Sequence, residues 1–182
     1  MRRNTLENLP DQQAPSGLEL RTFRVGDEAG WAKLMTGAIG DWDEESTRRQ
    51  FLSEPGVTPT AVFLLVNGDN YVATATDRQL QASEVGYLHM VAVAPIYRGR
   101  RLGRHVSIAA LRHMRARGCQ EAILDTDDYR LPAIRTYLAL GFVPDIVDAD
   151  HPDRWRRIAT EIGLAGSASW TYGGNNLRGN YS

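Results

Sequence analysis

Along residues 84–104, EVGYLHMVAVAPIYRGRRLGR, the rhythm of apolar and polar positions changes once, and the rest of the chain can be laid out around that change. Val85, Tyr87, His89, Val91 and Val93 alternate with Leu88, Met90 and Ala92, so a strand here carries apolar side chains on both faces and belongs in the middle of a sheet. Pro95 ends it, because proline has no N–H to give to a ladder. Beyond it Leu102, Val106, Ala109, Ala110 and Met114 recur at helical spacing, which predicts a helix over 103–117 with Gly118 as its terminating glycine.

The flanks read in the same way. Residues 18–25 alternate well enough for a first strand, and Asp27 is placed to cap a helix bearing Trp31, Leu34, Met35 and Ala38, closed by Gly37 and Gly40. Asp41, Asp43, Glu44 and Glu45 favour the start of a short helix through Phe51, which Pro55-Gly56 ends. A buried strand over 61–66, the hairpin turn Asn67-Gly68-Asp69-Asn70 and a return strand over 71–77 lead into the central strand. After the long helix come a strand over 121–126 and a helix near Pro132 with Leu131, Ile134 and Leu138 inward, stopped by Gly141. Gly141-Phe142-Val143 opens a further strand, and Pro152 starts a last helix that Gly163 stops.

The strands on either side of the long helix form a crossover unit, so they are parallel and right-handed, while the strands joined by the tight turn are antiparallel. The expected class is α/β: a mixed, mostly antiparallel central sheet flanked by helices on both faces. Residues 1–17 are polar, carry Pro10 and Pro15 and lack a period, which predicts a flexible N-terminal arm lying on the surface or disordered. The domain then runs over 18–165, and 166–182 is a Gly/Ser/Asn-rich tail, read as solvated despite Trp170, Tyr172 and Tyr181.

Composition narrows the function. With 182 residues the chain holds one well-buried domain, and a net charge of −1 gives no general pull toward nucleic acid or anionic membranes. Cys119 is the only cysteine, which excludes an internal disulfide or a cysteine zinc cluster and suits a reducing compartment. The longest wholly aliphatic or aromatic run is 61–66, and no apolar stretch follows Arg2 and Arg3, so the expected location is cytoplasmic.

Four arginines fall within residues 98–104, in a turn between a strand and a helix N-terminus. Free amides and the positive end of the helix dipole make such a turn an anion site. Neither the GxGxxG nor the GxxxxGK[ST] fingerprint is present. The order V-x-V-x-P-x-x-R-G-x-x-x-G, with AIRTYLALGFVP downstream similar to A-x-x-x-Y-x-x-x-G-F, resembles the GNAT acyltransferase (N-acetyltransferase) superfamily over roughly 18–147. Arg98, Gly99 and Gly103 match the family loop, whereas Arg101 replaces its middle glycine, an exchange accommodated if Arg101 has negative φ. The resemblance implies acetyl-CoA as co-substrate and no metal, with the pantetheine arm along the backbone of Val91, Ala92 and Val93. It places the pyrophosphate on the turn formed by Arg98, Gly99, Arg100, Arg101, Leu102, Gly103 and Arg104. Arg130, where members often carry asparagine, either contacts the coenzyme or faces solvent.

Thioester-to-amine transfer needs a held donor, a neutral nucleophile and a proton for the departing thiolate. Tyr137 occupies the position of the family's general acid, and a phenol stays protonated at neutral pH; packing under the sheet is its alternative use. An alkyl ammonium with a pKa of about 10 is neutral in only about one molecule in a thousand at pH 7, so a proton acceptor helps. His89 is the first candidate, against a hydrogen-bonded core role, and Glu84 the second, against simple solvation. The acids of 41–45 border the family's acceptor side, where they serve either a cationic acceptor or the helix start. His105, His113 and His151 lack metal-ligand spacing.

The expected activity is acetyl transfer from acetyl-CoA to a primary amine, of a small molecule or a peptide, directly within a ternary complex. A non-catalytic acyl-CoA-binding or regulatory domain is the alternative. A nucleic-acid contact through RGRRLGR is disfavoured by the neutral net charge. Exposed edge strands leave room for a homodimer.

Overall fold

The structure, a computed structural model, describes residues 1–81 and 84–164; the predicted tail lies outside the described residues. Six strands form one mixed sheet in the order β1-β6-β5-β4-β3-β2: β1 (Arg2–Arg3), β2 (Glu19–Thr22), β3 (Val62–Asn67), β4 (Asn70–Gln79), β5 (Val85–Val93) and β6 (Glu121–Ile123). Only β5 and β6 are parallel. The crossover between them is α3 (Leu102–Ala116), so the α/β architecture expected from the alternation is the one observed.

Helix α3 lies close against β4 and β5 because of what lines its inner face: Leu102, Val106, Ala110 and Met114 are buried. Gly86 is required for that approach, since a Cβ there would stand 2.4 Å from the Met114 sulfur. The far end of the helix is fastened by Asp77 of β4, whose buried carboxylate accepts from Arg117 Nε and Nη2 and lies 2.8 Å from His113 Nδ1. Helices α4 (Leu131–Ala139) and α5 (His151–Glu161) add Ile134, Tyr137, Trp155 and Ile158 to the same hydrophobic cluster.

On the other face, α1 (Glu28–Thr36) and α2 (Glu44–Ser46), the latter continued by a π-turn over Thr47–Phe51, cover a second cluster. There Trp31 stacks on Phe51 with ring centroids 4.2 Å apart. Asp27 precedes α1 but makes no side-chain cap, contrary to the expectation. Its carboxylate instead accepts from Arg21 of β2, from Tyr71 of β4 at 2.6 Å and from the Arg24 amide at 2.8 Å. Burial alone would raise the Asp27 pKa; the hydrogen bonds from Arg21, Tyr71 and Arg24 outweigh it and hold the carboxyl below its usual range.

Three further expectations need correction. β5 does not alternate uniformly: Met90 has φ 49, and the register with β4 passes from Thr76↔His89 to Thr74↔Ala92, so Ala75 faces a bulge. The extra residue reverses the parity. Tyr87 and His89 keep company with Met90 and Ala92 on the α1 side, while Leu88, Val91 and Val93 pack on the α3 side. Second, the segment 141–143 adds no sheet strand; Val143 makes one isolated antiparallel bridge to Arg2. Third, the N-terminal arm is docked rather than flexible where its apolar residues meet the core: Arg2–Arg3 pair with β6, and Met1 and Leu6 are buried. Arg112 of α3 donates to the Pro10 carbonyl, fastening the arm further along.

Among the described residues, no helix is long and apolar enough to cross a membrane.

Candidate active site

β5 and β6 pair only from Val85↔Glu121 to Tyr87↔Ile123. Among the described residues, β5 from Leu88 onward has β4 as its one strand partner, so its other edge, through Val91, Ala92 and Val93, opens on a split in the sheet. The bulge at Met90 bends the strand at that place. Backbone groups on an unpaired edge need partners, and an extended amide-bearing chain can supply them.

The edge runs into the arginine turn. A short 3₁₀ turn, Pro95–Tyr97, is followed by Gly99 with φ 80 and Arg101 with φ 58, after which α3 begins. The Arg98 amide is used by the Pro95 carbonyl, and the first amide of the next turn to find an acceptor is that of Arg104, on Arg101. Among the described residues the amides of 99 to 103 have no acceptor, and they sit at the positive end of a helix of 15 residues. Gly103 brings that helix start against β5: a Cβ added there would lie 3.4 Å from Val93 Cγ2.

The arginines add to this candidate anion site. Arg98 donates to the Gly37 carbonyl at 3.3 Å and so ties the turn to the end of α1, and Arg100 lies over the Tyr97 ring at 5.4 Å. Among the described residues, none of Arg98, Arg100, Arg101 and Arg104 is in an ion pair with an acid, so their charge is available to a ligand. Free amides, a helix dipole and unpaired guanidinium groups fit a diphosphate. Arg101 departs from expectation: its φ is positive, so it adopts the left-handed backbone of the glycine it replaces.

Tyr137 is buried in α4, its ring edge-on to Phe142 at 6.0 Å. Burial raises its pKa and the charge of Arg130 lowers it; the net effect pushes the phenol up to about 12, so it holds its proton throughout the neutral range. Arg130 itself bonds Asp127 at 2.8 Å and lies over Tyr129.

Around His89 the structure assembles residues that no sequence pattern had joined. Gly56, at φ 85, presses against β4 so closely that a Cβ would lie 1.9 Å from the Gln79 carbonyl oxygen. The Gln79 amide donates to the Gly56 carbonyl and Arg78 Nε to the Pro55 carbonyl, so the loop lies along the strand end. Glu54 is thereby carried to the sheet, with one carboxylate oxygen 2.9 Å from His89 Nε2 and the other 2.8 Å from Arg78 Nη1. Beside them Tyr87, under the Arg78 guanidinium, donates to Asp125 at 3.1 Å. Burial lowers the His89 pKa more than the Glu54 charge and hydrogen bond raise it, which leaves the ring neutral at pH 7.

Glu84 is placed elsewhere: it is exposed at the start of the parallel pair and accepts from Gln120 Nε2 at 2.8 Å. Three of the acids at 41–45 serve the short helix. Asp43 forms a capping box with Ser46, Glu44 pairs with Arg48, and Glu45 lies 3.2 Å from Arg49. The remaining histidines have structural contacts, His105 with the Gln13 carbonyl, His113 with Asp77 and His151 with Asp148. Cys119 is buried, and burial raises its pKa.

A sheet split beside an anion turn is the architecture of acyltransferases that draw their acyl group from coenzyme A. The chain belongs to the acetyltransferase (GNAT) family, which matches residues 28–142. The mycothiol acetyltransferase of Thermobispora bispora is 34% identical over 161 residues, 81% of this chain and 54% of that protein. The chain spans about half the length of the curated relatives it matches. Among solved structures, a putative acetyltransferase from Pyrococcus horikoshii superposes with a TM-score of 0.63 at 18% identity, over 76% of this chain and 48% of that one. The ribosomal-protein-S18-alanine N-acetyltransferase of Escherichia coli gives 0.57 at 19% identity, over 68% and 76%. At these identities the solved structures speak for the fold alone.

Proposed function

We propose that this chain is an acetyl-CoA-dependent N-acetyltransferase that moves the acetyl group directly to a primary amine within a ternary complex. The observation that carries this reading is the continuity, among the described residues, of an unpaired strand edge at Val91 to Val93 with the partnerless amides of 99 to 103. The turn holds the diphosphate, with Arg98, Arg100, Arg101 and Arg104 around it, and the strand edge lines up the pantetheine amides. Acetyl-CoA supplies an activated thioester. Tyr137 carries the proton that a departing thiolate needs, and neutral His89 can take one from the acceptor ammonium. The mycothiol acetyltransferase relatives favour a small-molecule amine over a protein acceptor.

Thermal-shift titration with acetyl-CoA, followed by thiol release over an amine panel, tests the reading. Acetyl-CoA at about 100 times its dissociation constant should stabilise the fold by about 2.7 kcal/mol. Tyr137→Phe should keep coenzyme affinity and lose about 10²- to 10⁴-fold in kcat. Binding without thiol release for any amine would make this a coenzyme-binding domain instead, and absence of binding at millimolar acetyl-CoA would remove the donor site.

A further inference from the structure

Resting on that reading, we infer that Glu54 is a positioning residue for His89, holding the imidazole proton on Nε2 so that Nδ1 is the lone-pair nitrogen that takes the acceptor's proton, and that Arg78 holds Glu54 in turn. An ionised carboxylate can only accept, so the 2.9 Å contact to Glu54 requires Nε2 to be the donor. A neutral imidazole then has its lone pair on Nδ1, which has no hydrogen-bond partner among the described residues. The carboxylate has no freedom to turn away, because its second oxygen is held by Arg78, and Arg78 is held by the Pro55 carbonyl and the Tyr87 ring.

The charges agree with this assignment. Arg78 already balances Glu54, so the pair does not call for a protonated imidazole. The nearby Asp125 is engaged by the Tyr87 hydroxyl. Phe51 lies 6.4 Å from the imidazole, ring to ring, and Tyr87 5.5 Å, leaving the His89 side chain 19% exposed. When an acceptor ammonium loses its proton here, an N–H bond breaks, the Nδ1–H bond forms, and the positive charge passes to an imidazolium already facing Glu54. The same geometry explains why the loop must be held at Gly56: it delivers the carboxylate.

Two substitutions should act in opposite directions. Glu54→Gln removes the anion and should lower the His89 pKa, moving the acid limb of kcat/KM to lower pH. It should also cut the plateau by about 10- to 100-fold, part of the roughly 10²- to 10⁴-fold a positioned base contributes. Arg78→Met leaves Glu54 unbalanced and should move the limb to higher pH. The KM for acetyl-CoA should be unchanged in both. Rates are measured with the amine of the panel that gives the fastest thiol release.

The tautomer is read independently, by ¹⁵N NMR of the histidine rings in the full chain, with His89→Gln supplying the assignment. The proton should lie on Nε2 in the unsubstituted chain at pH 7 and become shared between the two nitrogens in Glu54→Gln. A proton on Nδ1, a tautomer indifferent to Glu54→Gln, or acid limbs that shift the same way in both variants would overturn the inference. Absence of thiol release with every amine would instead overturn the acetyltransferase reading, while the ring spectra would still decide whether Glu54 sets the tautomer.

Discussion

Arg101 offers a measurement in which backbone strain can be separated from charge. It has φ 58 and ψ 20 at the entrance of α3, is exposed, and is in no ion pair among the described residues. For an L-residue the left-handed backbone costs roughly 1–2 kcal/mol. Arg101→Ala removes the guanidinium and retains that cost. Arg101→Gly removes both, but the freer unfolded chain costs about 0.4–1 kcal/mol. The difference leaves glycine ahead of alanine by about 0.5–1 kcal/mol, or about 1–4 °C in Tm for a chain of this size. The same pair of substitutions at Arg100, which is not among the residues of positive φ, should give the reverse order, since only the unfolded-state term remains. Both exchanges at Arg101 should weaken acetyl-CoA binding alike, because both delete one cation. Calorimetric Tm values for the four variants decide the matter: alanine equal to or above glycine at 101 would mean that the turn does not hold a left-handed residue there, and the anion cradle would need redrawing.

Gly30 makes a second test, since alanine in the middle of a helix normally stabilises it by about 1 kcal/mol. A Cβ there would stand 2.0 Å from the Tyr71 ring, which Asp27 holds by a 2.6 Å hydrogen bond, so Gly30→Ala should instead cost about 1–3 kcal/mol in denaturant unfolding. In a Tyr71→Ala background the same change should become neutral or stabilising. Asp27 also predicts the acid limb of stability. Its folded pKa lies below the unfolded value of about 3.9, so its contribution is complete above that pH and is lost as pH falls toward the folded pKa. The Tm advantage of the unsubstituted chain over Asp27→Asn should therefore shrink on acidification from pH 5 to pH 2.5; an advantage constant over that range would refute the assignment.

How much was legible in the sequence depends on whether a residue's role is set by its neighbours along the chain. The hairpin turn at Gly68, the crossover helix and the start of the short helix after Asp43 obey local rules, and each stands where its pattern put it. The parity of β5 did not, because Met90 is an ordinary strand residue by composition and becomes left-handed only when Ala75 of β4 must face two residues at once. The bulge decides which residues surround His89. Without it Val91 would share His89's face and the unpaired edge would continue a flat strand; with it, Val91 and Val93 turn to α3 and leave His89 among Phe51, Tyr87 and Glu54. Glu54 was hidden for a related reason. It lies in an aperiodic loop 35 residues from His89, and its partner is chosen by where Gly56 allows that loop to touch β4. The docked N-terminal arm follows the same logic. Met1 and Leu6 have no period to announce them, yet each has a place in the core, and the strand between them is only Arg2–Arg3, paired with β6. In each case the missing information is a distance between segments: the backbones of Met90 and Gly56 set it in two of them, and Arg2 sets it through its backbone pairing with β6 together with its ion pairs to Glu121 and Asp145. A substitution at such a position should therefore be judged by what it does to the pairing of two segments, and the loss of His89's partner on replacing Gly56 is the case in which that pairing and the proposed proton transfer fail together.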